Sequence, residues 1–131
     1  MNRVVITGIG VVSPIGNDLD TFWSNVRAGK HGIDFIQKFD TSDSEVKVAA
    51  EVKDFDPLRC FDKKELRRTD LYTQYAVDAA TQALKDCGTD FKDLDPFRVG
   101  VIVGSGIGGF SSTEEEHKKF LEKGGKRVSP F

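Results

Sequence analysis

The sequence has few of the residues on which disulfide frameworks and membrane spans depend. Its 131 residues include two cysteines, two histidines, one methionine and one tryptophan. Cys60 and Cys87 are far apart and lie in different settings, so they predict no disulfide framework. No apolar run approaches the roughly 20 residues that a membrane span needs. We therefore expect a cytoplasmic globular chain, of a length typical of one domain.

The sequence also lacks an excess of positive charge. The formal net charge is −2, so no overall positive field attracts nucleic acid or an anionic membrane, and we expect neither as a partner. The first residues, MNRVVITGIGVV, imitate a secretory signal. However, Thr7, Gly8 and Gly10 interrupt the apolar run, and no small-residue cleavage site follows. This segment is instead predicted to be the first β-strand.

Three apolar segments predict strands. The β-branched runs at 4–6 and 99–103 are typical of strands buried on both faces, and EVKVAAEV at 45–52 predicts a third strand. Residues 31–45 are predicted to be irregular. Because strands alternate with helices, the sequence predicts an α/β fold with mainly parallel central strands.

Three segments predict helices. Asp18 or Asp20 caps a short helix that stops at Gly29. A longer helix runs from Thr69 or Asp70 to Gly88, and its stripe of alanines allows a neighbouring element to approach closely. The third segment, SSTEEEHKKFLEKGG, consists mostly of charged and polar residues, so we expect a solvent-exposed helix. In it we predict a capping box of Ser112 with Glu115 and the pairs Glu114–Lys118 and Glu115–Lys119.

The glycines in RVGVIVGSGIGGF satisfy G-x-G-x-x-G through Gly104, Gly106 and Gly109. A dinucleotide site also needs a second strand that ends in an acid about 20 residues later, and that place holds Ser129. Three consecutive glutamates, 114–116, would repel a pyrophosphate. We therefore expect no cofactor, and a nicotinamide-dependent oxidoreductase is a remote alternative. The glycines are predicted to let a backbone or a ligand approach closely, which leaves Ile107 room to move.

Four stretches together resemble a known family. They are VVITGIGVVSPIGN, TDLYTQYAVDAATQAL, VGVIVGSGIGG and the closing KRVSPF. In this order and spacing the sequence resembles the β-ketoacyl-acyl carrier protein synthases of the elongating type II, over essentially the whole chain. The resemblance implies a thiolase-like fold of two similar α/β halves, assembled as a homodimer, of which residues 1–131 would be an N-terminal portion that stops before the nucleophile turn.

The resemblance also implies a reaction, a decarboxylating Claisen condensation between an acyl-enzyme and malonyl-acyl carrier protein. In such enzymes a cysteine takes the acyl group, two histidines assist decarboxylation, and backbone N–H groups form an oxyanion hole. None of these residues has a counterpart here. Cys87 lies at a helix C-terminus, which disfavours a thiolate, and Cys60 lacks a histidine partner. We therefore expect no catalytic residue in this chain and no condensation by the chain alone.

The resemblance implies binding roles for a few residues. Ile107 matches the wall of the acyl pocket, and Phe131 matches an aromatic pair near the dimer interface; core packing and an ordinary apolar residue are the plain alternatives. Five cations fall where the family presents basic residues to its acidic carrier protein, although charge runs are usually solvated faces. They are Lys64, Arg67, Arg68, Lys126 and Arg127. The implied partners are acyl carrier protein, malonyl and acyl thioesters and a second copy. A non-catalytic partner subunit resembling a chain-length factor is the alternative.

Overall fold

The structure, a computed structural model, describes residues 3–129. Within them the chain forms three α-helices and one sheet of two strands. The helices are α1 (Leu19–Arg27), α2 (Leu71–Cys87) and α3 (Phe110–Lys123), and the strands are β1 (Ile33–Phe35) and β2 (Val48–Ala50). Short 3₁₀ turns lie at Pro57–Arg59, Pro96–Arg98 and Gly125–Arg127. In this described part of the chain, no helix combines the length and apolar character needed to cross a bilayer.

The chain divides into two compact units. Unit 1 comprises Met1–Asp56 and Asp78–Asp90, and unit 2 comprises Pro57–Val77 and Phe91–Phe131. Helix α2 therefore contributes residues 71–77 to unit 2 and residues 78–87 to unit 1.

The first two helices begin and end where the sequence predicts. Asp18 is the N-cap of α1, and its Oδ1 accepts a hydrogen bond from the Thr21 backbone N–H at 2.8 Å. Gly29 and Gly88 follow the ends of α1 and α2 with φ of +68°. Glycine adopts this left-handed conformation without the steric cost that a Cβ imposes, so both residues end their helices as predicted.

The sheet differs from the prediction, although the combination of helices and strands confirms the α/β class. Strands β1 and β2 pair antiparallel, with Ile33 opposite Ala50 and Phe35 opposite Val48. The predicted strand at 45–52 is therefore shortened, and the predicted irregular segment 31–45 contains a strand. The expected parallel pairing is absent from residues 3–129, because short antiparallel strands can pair across a local reversal, whereas parallel pairing needs a long crossover.

The two strands predicted at 4–6 and 99–103 are also wrong for this structure. Both segments lack strand pairing, and both are exposed rather than buried: Val4 is 91% exposed and Ile102 is 98% exposed. A β-branched run favours extended backbone, but a strand also needs a neighbouring backbone to complete its hydrogen bonds. The described residues place no such neighbour beside either run.

In unit 1, the segment at residues 8–11 packs against α2. A Cβ at Gly8 or Gly10 would overlap the backbone carbonyls of Ala83 and Ala79 respectively. The predicted close approach to the alanine stripe is therefore confirmed, with an extended segment as the neighbour. Asp78, on the same helix, is 2% exposed, and its Oδ2 accepts a hydrogen bond from the Gln82 side chain at 2.8 Å.

Candidate functional site

The glycine loop before α3 is a tight turn in unit 2. The Ser105 hydroxyl oxygen accepts a hydrogen bond from the Gly108 backbone N–H at 2.9 Å, and Gly108 has φ of +82°. Ile107 stands on this turn with 78% of its surface exposed. A Cβ at Gly104 or Gly106 would meet no atom of the described residues within 4 Å, so no backbone approaches either glycine closely, and the approach of a ligand stays a prediction.

At Gly109 a neighbour does approach closely, but it is a side-chain carboxylate and not the backbone or ligand that the sequence predicts. A Cβ at Gly109 would overlap the side chain of Asp70, which also accepts a hydrogen bond from the Ser112 hydroxyl in the first turn of α3. A negative charge is favourable beside the positive N-terminal end of a helix. Asp70 therefore lies where a dinucleotide site would need its pyrophosphate, which argues against that alternative.

The start of α3 differs from the prediction in one respect. The helix begins at Phe110 after Gly109, and no side chain caps it. Ser112 lies inside the first turn rather than before it, so the predicted capping box of Ser112 with Glu115 is wrong. The hydroxyl of Ser112 bonds instead to Asp70, across 42 residues of sequence.

The predicted docking cations form two basic clusters, Lys64 with Arg67 and Arg68, and Lys126 with Arg127; the first lies on a turn that two acids hold together. Asp62 Oδ1 accepts hydrogen bonds from the backbone N–H groups of Lys64 and Glu65, at 2.7 and 2.8 Å. The Glu65 carboxylate in turn accepts from the Asp62 N–H at 2.8 Å. This reciprocal arrangement is a capping box. It fixes the backbone that carries three exposed predicted docking residues, Lys64, Arg67 and Arg68.

The second basic cluster follows the end of α3. Gly124 has φ of +73°, and its N–H donates to the Phe120 carbonyl at 2.9 Å. The chain then turns through Gly125–Arg127, on which Lys126 and Arg127 are exposed. A single glycine in the left-handed region thus changes the direction of the chain and presents both cations.

Ion pairs on α3 agree with the prediction in part. Lys118 pairs with Glu114 at 2.8 Å, as predicted, whereas Lys119 pairs with Glu116 at 2.6 Å and not with Glu115. The hydrogen bond from Lys119 lowers the pKa of Glu116 below its ordinary value, and the bond from the Ser129 backbone N–H lowers it further.

A cleft of about 560 Å³ in unit 2 collects residues next to both basic clusters. Arg67 and Arg68 line it together with Lys119 and Ser129, and Asp70 and Glu116 also contribute. All five predicted docking cations and Ile107 belong to this unit. The arrangement is suited to binding an acidic partner, because exposed cations stand on short fixed turns and not on a loose tail.

The cysteines and histidines form no disulfide and no metal-binding group within residues 3–129. Cys60 and Cys87 are half-buried and form no disulfide, and the Cys87 thiol donates to the Leu84 carbonyl at 3.1 Å. His31 and His117 are exposed. Within residues 3–129 no group of three or more His, Cys, Asp or Glu residues could hold a metal ion. Phe131 lies outside the described residues.

Sequence reasoning missed three features of this unit. The Asp62–Glu65 box has a local signal, since the two acids stand three residues apart. The bond between Asp70 and Ser112 has no such signal, and the bond between Glu116 and Ser129 joins residues 13 apart across a reversal of the chain. These two contacts require knowledge of the tertiary structure.

Comparison with known proteins gives a consistent result. Residues 1–131 match the family model described as "Beta-ketoacyl synthase, N-terminal domain". The chain is 50% identical over 129 residues to 3-oxoacyl-[acyl-carrier-protein] synthase 2 of Staphylococcus aureus (strain N315), an alignment that covers 98% of this chain and 31% of that protein. It is 45% identical to the protein of that name from Coxiella burnetii, with the same coverage. The chain thus spans about a third of the length of these curated relatives.

Two solved structures share the fold. The ishigamide ketosynthase/chain length factor superposes with a TM-score of 0.78 at 31% identity, over 96% of this chain and 32% of that one. A type II polyketide synthase complex of a ketosynthase with its acyl-carrier protein superposes with a TM-score of 0.74 at 31% identity, over 96% of this chain and 34% of that one. The chain therefore belongs to the beta-ketoacyl synthase N-terminal domain family and has its α/β, thiolase-like fold.

Proposed function

We propose that the chain is the N-terminal part of a 3-oxoacyl-acyl carrier protein synthase of fatty-acid elongation, an acyltransferase. The observation that carries this proposal is the identity of 45–50%, over 98% of the chain, to proteins of that name. In the reaction, an acyl group held as a cysteine thioester is attacked by the carbanion that forms when malonyl-acyl carrier protein loses CO₂. The cysteine thiolate leaves, and the product is a 3-oxoacyl thioester on the carrier.

Within this enzyme the chain supplies binding surfaces and no catalytic residue. The nucleophilic cysteine and the two histidines of the family belong to a part of the relatives that this chain does not match. Lys64, Arg67, Arg68, Lys126 and Arg127 form the docking surface for the acidic carrier. Their exposure and their shared place in unit 2 support this assignment, as does the neighbour that was solved as a complex of a ketosynthase with its acyl-carrier protein.

Ile107 forms part of the wall of the acyl pocket in this proposal. The turn held by Ser105 and Gly108 fixes its backbone, and a Cβ built on Gly104 or Gly106 would meet no atom of residues 3–129 within 4 Å, which leaves space beside it. We also include in the proposal a homodimer that acts in the cytoplasm, with Phe131 close to the interface.

The alternative is a non-catalytic partner subunit. One structural neighbour is a ketosynthase/chain length factor at 31% identity, which favours this alternative. The 50% identity to a synthase favours the enzyme more strongly. The two are distinguished by the residue at the nucleophile turn of the full gene product, which is cysteine in the enzyme and another residue in the partner subunit.

The decisive experiment reads the source transcript past codon 131 and assays the encoded protein. Malonyl-acyl carrier protein labelled in its free carboxylate is mixed with an acyl-acyl carrier protein, and the release of labelled CO₂ and the 3-oxoacyl product are measured. The proposal expects both signals from the full gene product and neither from residues 1–131 alone. A protein that lacks the downstream cysteine and forms no product would overturn it.

The docking surface is tested by charge neutralisation in the same full protein. Arg67→Ala combined with Arg68→Ala is expected to weaken binding of acyl carrier protein about tenfold or more at low salt and to flatten its salt dependence. Lys30→Ala, which removes an exposed lysine of unit 1, is the matched control and leaves affinity within about twofold. Equal effects of the two changes would contradict the assignment.

A further inference from the structure

One acidic side chain joins helix α3 to the segment that follows it. Glu116 accepts a hydrogen bond from the Ser129 backbone N–H at 2.6 Å and pairs with Lys119 Nζ at 2.6 Å. Its side chain is 18% exposed, whereas that of Glu114 on the same helix is 59% exposed. Glu116 therefore differs from an ordinary solvated acid of a charged helix.

The segment after α3 is held at both ends. At its start, Gly124 reverses the chain in the left-handed region and bonds to the Phe120 carbonyl. At its end, Val128 lies half-buried with Phe120 along one groove, and the N–H of Ser129 reaches Glu116. The bond to Glu116 thus ties the end of this segment back to α3, 13 residues earlier in the chain.

This folding-back has a consequence for the cations. Lys119 and Lys123 stand four residues apart on α3, so they project from the same face of the helix. Arg127, on the returning segment, lines one open groove together with these two lysines. The predicted docking residues include Lys126 and Arg127 but neither Lys119 nor Lys123, whereas in the structure Arg127 lies beside both lysines of the helix.

We propose that Glu116 is a positioning residue, which fastens residues 125–129 to α3 so that Lys119, Lys123 and Arg127 form one groove for carboxylates of the acidic carrier protein. This inference rests on the proposed function, because the carrier is the partner that the proposed function names. It extends the docking surface by two lysines of α3 and gives an acid a supporting role in binding an acidic partner.

The expected change in carrier affinity on removal of the Glu116 charge is opposite to the change that simple electrostatics predicts. Removal of a negative charge beside a cationic groove should strengthen the binding of an acidic partner. If Glu116 positions the groove, Glu116→Ala instead weakens carrier binding, by about fivefold at low salt. Glu114→Ala removes the same charge from the same helix and is the matched control; it is expected to leave affinity unchanged or slightly higher.

The experiment combines two measurements on the full protein and these two variants. Hydrogen exchange of the backbone amides at residues 127–129 reports the fastening, and titration with acyl carrier protein at low and high salt reports the groove. Glu116→Ala is expected to accelerate exchange about tenfold or more and to reduce affinity, and Glu114→Ala is expected to change neither in that direction.

The possible results separate the positioning role of Glu116, its link to carrier binding and the docking part of the proposed function. Unchanged exchange in Glu116→Ala overturns the positioning role, whatever the carrier does. Faster exchange with unchanged or stronger binding overturns the link between position and docking. If the unaltered protein fails to bind the carrier, the docking part of the proposed function is overturned, and with it the assignment of the carrier to this groove.

Discussion

Two apolar stretches that contain glycines, residues 8–11 (the first run) and residues 100–104 (the second run), reach different states. In the first, Ile9 N–H donates to Asp86 Oδ2 at 2.9 Å and Val11 N–H donates to Gln82 Oε1 at 3.2 Å. The Gln82 side-chain amide also donates a hydrogen bond to the Val11 carbonyl at 3.1 Å. In the second, the backbone of residues 100–104 makes no hydrogen bond within residues 3–129.

The difference shows that side chains of a helix can supply the hydrogen bonds that a neighbouring strand would otherwise provide. Gln82 and Asp86 are four residues apart on α2, a separation of about 6 Å along the helix axis. Ile9 and Val11 are two residues apart, and extended backbone spans about 6.6 Å over two residues. Because these repeats match, side chains of one helix face can satisfy alternate backbone groups of an extended segment. Within residues 3–129, no side chain bonds to the backbone of residues 100–104.

The largest expected effect comes from adding a methyl group on the side where the first run meets the helix. Gly10→Ala places a Cβ against the Ala79 carbonyl, and backbone meets backbone there, so neither side can yield easily. We expect a loss of about 2–3 kcal/mol in the free energy of unfolding, measured by urea denaturation. Gly104→Ala is the control in the second run, where a Cβ meets nothing within 4 Å, and it should change stability by less than about 1 kcal/mol, in the stabilising direction. Equal losses at both glycines would invalidate the comparison.

The next effect comes from removing the side chain that holds the first run. Gln82→Ala leaves the N–H and C=O groups of Val11 without their partner. We expect a loss of about 2 kcal/mol in stability and faster hydrogen exchange of the Val11 amide. Lys85→Ala changes an exposed side chain of the same helix and should leave both quantities nearly unchanged. Protection of Val11 that survives in Gln82→Ala would show that other contacts hold this segment.

A smaller effect is expected on association through the second run. Exposed, unpaired β-branched segments promote pairing with another chain, so residues 1–131 alone should self-associate. Ile102→Lys is expected to lower the association constant about tenfold, equivalent to about 1.4 kcal/mol, measured by light scattering on dilution. Val46→Lys, at a valine that is 62% exposed and lies outside both runs, serves as the control. A compact monomer that dilution does not alter would contradict this expectation.

The smallest effect concerns an ion pair of unit 1. The hydrogen bond from Lys53 lowers the pKa of Asp34 below its ordinary value of 3.8, and the pKa of Lys53 rises above 10.5 because of the same bond. The Asp34 contribution to stability is therefore complete above pH 3.8 and is lost as the pH falls below it. The Lys53 contribution is lost as the pH rises above 10.5. Asp34→Asn should abolish the acid part of this dependence in urea unfolding, whereas Asp43→Asn, at an exposed carboxylate of the same unit, should leave it.

The sequence predicts features that depend on neighbouring residues and misses those that depend on distant ones. Asp18, Gly29 and Gly88 mark helix ends through local backbone chemistry, and all three predictions are confirmed. The strands at 4–6 and 99–103 failed because a strand also depends on a partner that the run itself does not specify. Similarly, the cations of the candidate site are visible in the sequence. The bond from Ser129 to Glu116, which brings Arg127 beside Lys119, is not.

The bonds from Ile9 and Val11 to helix α2 also have a consequence for the order of events during synthesis. They join residues that are 77 and 71 positions apart. At a typical translation rate of 5–20 residues per second, residues 9 and 11 wait roughly 4–15 seconds before their partners have been made. For that interval, the apolar segment at residues 8–11 has no native contact with α2. Holding it apart from other chains during this time is a task for the ribosome surface or a chaperone.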